Sequence, residues 1–208
     1  MIPSDIMGFA RTSVNEPWGL GDAFLQTSES QPPYYRFLHK LVKHYTPQLV
    51  VECGVYMATG SVHMALGNRE TNVVGIDIAP HTRAYSALLL YNNFHLLVGD
   101  TTEDKIFAEV DSKFPNSYIG LLFLDSKHDG ITAIKEYNLW RKKFAQLCIV
   151  ACDDILDPRM EMFWSKLPGE KLELNFLHPA QYPGYPDAGF GISVVREHGT
   201  PIKHNHST

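Results

Sequence analysis

Residues 48–61, QLVVECGVYMATGS, hold a short β-branched run that ends on Glu52, a turn containing Gly54, and the start of a helical stretch at about 61–67. A strand that turns into a helix in so few residues is the opening unit of an α/β fold. The same pattern repeats downstream. Further runs occur at 72–77 (NVVGID), 94–100 (FHLLVGD), 119–125 (IGLLFLD) and 147–154 (LCIVACDD), with helical candidates at about 82–92, 103–114 and 131–145 between them. Continuously apolar strands suit a parallel sheet covered on both faces, and the helices are the crossovers that parallel neighbours require. After residue 158 the alternation gives way to a short helix at 160–166, a strand-like KLELNFL at 171–177 and a final strand FGISVV at 190–195. The expectation is a Rossmann-like, doubly wound, mostly parallel seven-stranded sheet closed by a C-terminal antiparallel hairpin. It forms one domain over 32–198, with a helix at 32–46, a Ser-, Pro- and Gly-rich loop or arm at 1–31, and a flexible tail at 199–208.

Composition is that of a globular chain. Of 208 residues, 44% are hydrophobic and 20% charged, enough to bury a core. Lys and Arg number 18 against 23 acids, the wrong sign for phosphate-backbone binding, so nucleic acid is not an expected partner. Three cysteines, Cys53, Cys148 and Cys152, are too few for a disulfide framework, and Cys148 and Cys152 face one side of a strand as small core residues. No apolar run approaches the ~20 residues that cross a bilayer, and the first residues lack a basic stretch followed by an apolar one. A soluble cytoplasmic protein without membrane association is expected.

Nearly every predicted strand ends in an acid: Glu52, Asp77, Asp100, Asp125 and the pair Asp153–Asp154. Any one of them serves equally well as a helix cap, but in open α/β sheets ligands bind outside the carboxyl ends of the strands. Six acids would then face one crevice, where like charges raise each other's proton affinity and call for a cationic ligand. The turn after Glu52 departs from the dinucleotide fingerprint G-x-G-x-x-G, because Tyr56 occupies the place of the glycine that lets a pyrophosphate approach. NAD, FAD and nucleoside triphosphates are disfavoured. An adenosine cofactor with a cationic, phosphate-free arm is compatible, with Asp77 placed to accept from ribose hydroxyls, and S-adenosylmethionine is such a cofactor. Asp125, Asp153 and Asp154, from adjacent strand ends, form an all-oxygen set that suits Mg²⁺, Mn²⁺ or Ca²⁺ rather than zinc. The competing reading makes Asp153 a strand-end cap and Asp154 its solvated neighbour.

The segments VVECGVYMATGS, GIDI, LLVGDTTED, FLDSKHD and VACDD, in that order and spacing over about 48–195, resemble class I S-adenosylmethionine-dependent methyltransferases. The likeness is to the small metal-dependent O-methyltransferases, both catechol O-methyltransferase-like enzymes and the relatives of cephalosporin hydroxylase and macrolide-sugar O-methyltransferases. The resemblance implies that Glu52 and Gly54, with Tyr56 and Ser61 beside them, meet the methionine end of the cofactor. Asp77 would meet the ribose, Asp100 and Thr101 the adenine side, and Asp125 the junction with a metal held by Asp125, Asp153 and Asp154. His128 would take the acceptor's proton, with Lys127 second in line. Ala58 departs from the family's usual glycine. Asp154 departs from the asparagine of catechol-type enzymes and matches the acid of the sugar-modifying branch.

The implied activity is O-methylation of a small molecule such as a sugar, diol or natural product. A cofactor-binding protein without turnover and a metal-dependent hydrolase are the alternatives; the first would not need the metal acids and His128, the second would not need Glu52 and Asp77. Trp18, Gly19, Gly21 and Phe24 in the N-terminal arm, and Tyr182 and Tyr185 in the loop 178–189, would serve as a lid or as a contact between copies in a homo-oligomer. His204 and His206 are assigned no function.

Overall fold

The computed structural model describes residues 4–15, 32–178 and 188–196. In chain order they form α1 (Ser4–Asn15), α2 (Tyr34–Tyr45), β1 (Leu49–Cys53), α3 (Thr59–Gly67), β2 (Asn72–Asp77), α4 (Thr82–Leu90), β3 (Phe94–Val98), α5 (Asp104–Lys113), β4 (Ile119–Leu124), α6 (Gly130–Trp140), β5 (Phe144–Asp153), α7 (Glu161–Lys166), β6 (Glu170–Glu173) and β7 (Phe190–Arg196). The strands make one sheet in the order β3-β2-β1-β4-β5-β7-β6. Pairing is parallel from β3 to β5, while β7 runs antiparallel to both β5 and β6. This is the expected doubly wound sheet with its C-terminal hairpin, in the class I methyltransferase strand arrangement.

Alternation along the strands divides the core into two layers. Val50, Leu121, Phe123, Ile149 and Ala151 pack with Phe37 and Leu41 of α2 and Val62 and Met64 of α3. Leu49, Val51, Leu122, Leu124 and Val150 pack with Tyr137 and Trp140 of α6 and Trp164 of α7. Cys53, Cys148 and Cys152 all belong to the second layer, fully buried, and burial pushes each thiol well above its ordinary pKa. They are inert packing groups.

Three expectations need correction. Residues 4–15 are helical, not loop: Ile6 and Ala10, one turn apart, are fully buried in the layer that contains α2, and Arg36 Nε donates to the Ser13 carbonyl at 2.6 Å near the helix end. The helix expected to run to 145 stops at Trp140, and a 3-10 turn over Arg141–Lys143 delivers Phe144 into the core as the first residue of β5. The strand expected over 171–177 stops at Glu173. Asn175–Leu177 form a 3-10 turn that buries both Leu174 and Leu177 and carries His178 inward. Trp18, Gly19, Gly21, Phe24, Tyr182, Tyr185, His204 and His206 lie outside the described residues. No described helix is long and apolar enough to cross a membrane.

Candidate functional site

Strand order reverses between β1 and β4, and the crevice at their carboxyl ends is the expected ligand position in such a sheet. A cleft of about 810 Å³ opens there, lined by Glu52, Gly54, Tyr56, Asp77, Asp100, Thr101, Asp125, Lys127, His128 and Asp153 among others. Ser61, fully buried, and Asp154, both also singled out from the sequence, are not among its lining residues.

Gly54 has φ +88°, and a Cβ there would lie 2.0 Å from the Asp125 carbonyl oxygen. The turn after β1 therefore crosses the end of β4 backbone to backbone, which only glycine permits. Beyond it, the amides of Val55 and Tyr56 donate to Asp77 Oδ2 at 2.9 and 2.8 Å, and Ala79 N donates to Oδ1 at 2.8 Å. Asp77 thus ties the β1 turn to β2 while still lining the cleft. Ala58 stands at φ +64°, in the left-handed region; the glycine usual there spares the strain that its methyl group incurs, about 1–2 kcal/mol.

Glu52 is 1% exposed and accepts a short hydrogen bond from Ser61 Oγ. Gly60 makes room for it, since a Cβ there would lie 2.1 Å from Glu52 Oε1. Burial raises the Glu52 carboxyl to about 8, the charge of Asp77 adding to the shift and Ser61 opposing it. An added cation at this end of the cleft would draw the proton off. Ser61 is spent on orienting Glu52 and does not reach the cleft.

On the β3 side, Asp100 accepts from Thr102 Oγ1 at 2.7 Å and Thr102 N at 2.8 Å, bonds that hold its carboxyl below the usual range. The Thr101 hydroxyl points inward to the fully buried Glu136, and Trp140 Nε1 donates to the Thr101 carbonyl at 3.0 Å. This turn is clamped to α6 by two residues four apart on one helix face.

At the ends of β4 and β5 the acids converge. Asp153, 5% exposed, accepts from Tyr34 OH at 3.3 Å on Oδ2 and has His178 Nδ1 2.6 Å from Oδ1. Asp154 Oδ2 lies 2.8 Å from His128 Nδ1. Burial, followed by the charges of Asp153, Glu52 and Asp154, pushes the Asp125 carboxyl well above its ordinary pKa. The hydrogen bond to Asp154 raises the His128 imidazole against the opposing effect of burial. For His178 burial works against the charged ring, yet Asp153 outweighs it and the net shift is upward. Lys127 lines the outer rim of the cleft, 77% exposed with Nζ 3.6 Å from Asp129.

The groups compact enough to hold a metal ion among the described residues are two: Asp125, His128 and Asp153, and Asp153, Asp154 and His178. The three carboxylates expected from sequence are thus brought to one corner but divided between two groups that share Asp153, and each group contains an imidazole. Tyr34, Tyr35, His178 and Glu136 were not anticipated. Among the described residues five non-glycine residues have positive φ; Tyr56 and His128 line this cleft, and Ala58 and Asp154 directly follow the lining residues Met57 and Asp153, in keeping with strain gathering at functional sites.

A family model described as "Methyltransferase domain" matches residues 51–155. No curated protein sequence matches the chain. Among solved structures, the O-methyltransferase of Bacillus cereus in complex with SAH superposes with a TM-score of 0.58 at 15% identity, covering 94% of this chain and 93% of that one. A methyltransferase from Geobacter sulfurreducens gives 0.60 at 20% identity over 93% and 97%. An O-methyltransferase from Streptomyces achromogenes involved in tomaymycin synthesis, solved with SAM, gives 0.59 at 13% identity over 95% and 92%. At such identities the likeness shows the shared fold.

Proposed function

The chain belongs to the methyltransferase-domain family, and from that premise we propose that it transfers the methyl group of S-adenosylmethionine to a hydroxyl oxygen of a small molecule, with a divalent cation at the acceptor end of the cleft. The observation that carries this reading is the joining of two kinds of acid in one cleft. Glu52 and Asp77 sit beside a turn that carries Tyr56 where a pyrophosphate-binding turn has glycine, and Asp125 and Asp153 sit with His128 at the other end.

In this reading the cationic methionine arm lies over Gly54 toward Glu52, the ribose hydroxyls donate to Asp77, and the adenine rests beside Asp100 and the Thr101 backbone. Asp154 holds His128 Nδ1, which leaves Nε2 to take a proton. As the acceptor oxygen forms its bond to the methyl carbon, the carbon–sulfur bond breaks, the neutral thioether departs, and the hydroxyl proton passes to His128 Nε2. Asp125 and Asp153 in one compact group and Asp153 and Asp154 in the other are hard donors that suit a divalent ion, and a cation there would relieve the neighbouring charges that add to burial in raising Asp125. Such an ion, when bound, would hold the acceptor oxygen and lower its pKa.

Calorimetric titration tests the reading. S-adenosylmethionine and S-adenosylhomocysteine should bind with roughly micromolar affinity, about −8 kcal/mol. Asp77→Ala should weaken both by about 1.5–3 kcal/mol, the worth of a hydrogen bond to a charged group. Absence of heat with either ligand, or unchanged affinity in Asp77→Ala, would overturn it. EDTA should abolish turnover and leave cofactor binding intact.

A further inference from the structure

Resting on that reading, we propose that the cation takes His178 as a ligand together with Asp153 and Asp154. The centre is then a mixed imidazole–carboxylate site selective for a first-row transition-metal dication such as Mn²⁺ or Fe²⁺ over Mg²⁺ and Ca²⁺. Asp153, Asp154 and His178 offer ligand atoms that all lie within 4.8 Å of one another. His178 Nδ1 is 2.6 Å from Asp153 Oδ1 and 3.9 Å from Asp154 Oδ1. The second oxygen of Asp154, Oδ2, is occupied by His128, so one carboxylate can serve the ion and the base at once.

The position of His178 is built in. Leu174 and Leu177 anchor the preceding 3-10 turn in the core, His178 N donates to the Asn175 carbonyl at 3.1 Å, and the Tyr34 ring packs 5.2 Å from the imidazole. The side chain is 16% exposed and directed at two carboxylates rather than at solvent. A second observation comes from behind the cluster. A cavity of about 10 Å³, room for one water, is lined by Ser126, His128, Asp129, Glu136 and Asp153. Glu136 is fully buried, and its Oε2 has no hydrogen-bond partner. Such an acceptor, one water away from Asp153, is the outer-shell support that metal carboxylates and their bound waters use.

The chemistry of the donors sets the selectivity. Mg²⁺ and Ca²⁺ take oxygen, whereas an imidazole nitrogen favours transition metals in the Irving–Williams order. The sequence pointed to three carboxylates and hence to hard ions. In the folded chain both compact groups around Asp153 contain a histidine.

The experiment adds Mn²⁺ to metal-free protein in the presence of S-adenosylhomocysteine, with pulsed EPR reading directly bound ¹⁴N and calorimetry reading affinity. Expected are a bound-imidazole ¹⁴N coupling in the wild type, binding of Mn²⁺ at least roughly tenfold tighter than Mg²⁺, and retention of the coupling in His128→Ala. His178→Ala should lose the coupling and at least the roughly 10–100-fold in Mn²⁺ affinity typical of even outer-shell losses, while S-adenosylhomocysteine binding stays as in wild type. Wild-type protein that binds S-adenosylhomocysteine but shows no ¹⁴N coupling overturns the inference and leaves the methyltransferase reading standing. A coupling lost in His128→Ala but kept in His178→Ala also overturns it. Failure of S-adenosylhomocysteine to bind the wild type overturns the underlying reading and the inference with it. Where His178→Ala fails to fold, the His128→Ala spectrum decides the matter, since a coupling kept there supports His178 and one lost there overturns it; His178→Asn, which keeps a hydrogen-bonding side chain beside Asp153, is the second variant.

Discussion

The two ends of the cleft hold their acids in opposite ways. At the β1–β2 end, Glu52 is satisfied by the Ser61 hydroxyl, nine residues on, and Asp77 by the backbone amides of Val55, Tyr56 and Ala79, so the single turn after β1 and the helix it starts serve both acids. At the β4–β5 end, Asp153 meets Tyr34, 119 residues away, and His178 from beyond β6, while Asp154 meets His128. The first end is built largely from the backbone of one turn, suited to a cofactor of fixed shape. The second is assembled from side chains of α2, the β4–α6 turn, the end of β5 and the 3-10 turn before β7, and is free to vary with the acceptor.

If that contrast is right, the largest effect comes from removing a single side chain at the second end. Proton removal by a placed base contributes about 10²–10⁴-fold, so His128→Ala should lower kcat by that factor. S-adenosylhomocysteine affinity should stay unchanged. The wild-type pH–rate profile should carry an acidic limb that the variant lacks, since a base must be deprotonated to act. Cofactor affinity that falls along with kcat would merge the two ends into one.

The first end should break through its backbone instead. Gly54→Ala places a methyl group 2.0 Å from the Asp125 carbonyl oxygen at φ +88°. We expect a loss of about 3 kcal/mol, or roughly 6–12 °C in Tm for a chain of this size, together with weakened cofactor binding. A normal Tm would show that the β1 turn and the end of β4 move apart at little cost.

The same contrast explains what the sequence disclosed. The apolar strand runs, the crossovers and the acids at strand ends are local patterns, and they disclosed the mostly parallel sheet with its C-terminal hairpin and the cleft that Glu52, Asp77, Asp100, Asp125 and Asp153 line. The hydroxyls of Ser61 and Thr101 go to Glu52 and Glu136, an orientation the sequence does not disclose, because a short polar side chain does not declare which way it faces. Tyr34 and His178 were missed for a different reason. Each enters the cluster only through a contact with Asp153 made by the fold, and His178 reaches Asp153 because KLELNFL breaks at Glu173 into a 3-10 turn, a change of period hidden by an alternation that continues through Leu174. The helix at 4–15 escaped because its buried face is only Ile6, Ala10 and Ser13 within a polar stretch.

A smaller effect should appear in the pH dependence of stability. Burial raises the Glu52 carboxyl to about 8 in the folded chain, against ~4.3 when unfolded, so folding takes up a proton between these values. The contribution to stability is fully present below ~4.3 and is lost as pH rises through about 8. Thermal denaturation from pH 5 to 8.5 should show the wild type losing stability relative to Glu52→Gln, which stays neutral throughout. Bound S-adenosylmethionine should flatten the difference, because its positive charge favours the ionised carboxylate. Parallel curves for the two proteins would mean that Glu52 is ionised in the empty cleft.

The smallest effect is expected at Lys127, which stands next to His128 in the chain and differs from it in every respect that bears on proton transfer. A lysine acts as a base near neutrality only if burial or a neighbouring cation removes its proton, and Lys127 is 77% exposed beside Asp129, an acid. His128 is mostly shielded and oriented by Asp154. The pair between Lys127 and Asp129 is of the exposed kind worth about 0–1 kcal/mol. Lys127→Ala should therefore leave Tm almost unmoved and turnover within error of wild type, with the acidic limb of the pH–rate profile intact. Should Lys127→Ala lose turnover while His128→Ala keeps it, the base would belong to the exposed residue, and the acceptor would have to bring its own shielding to the outer rim of the cleft rather than lie against Asp153.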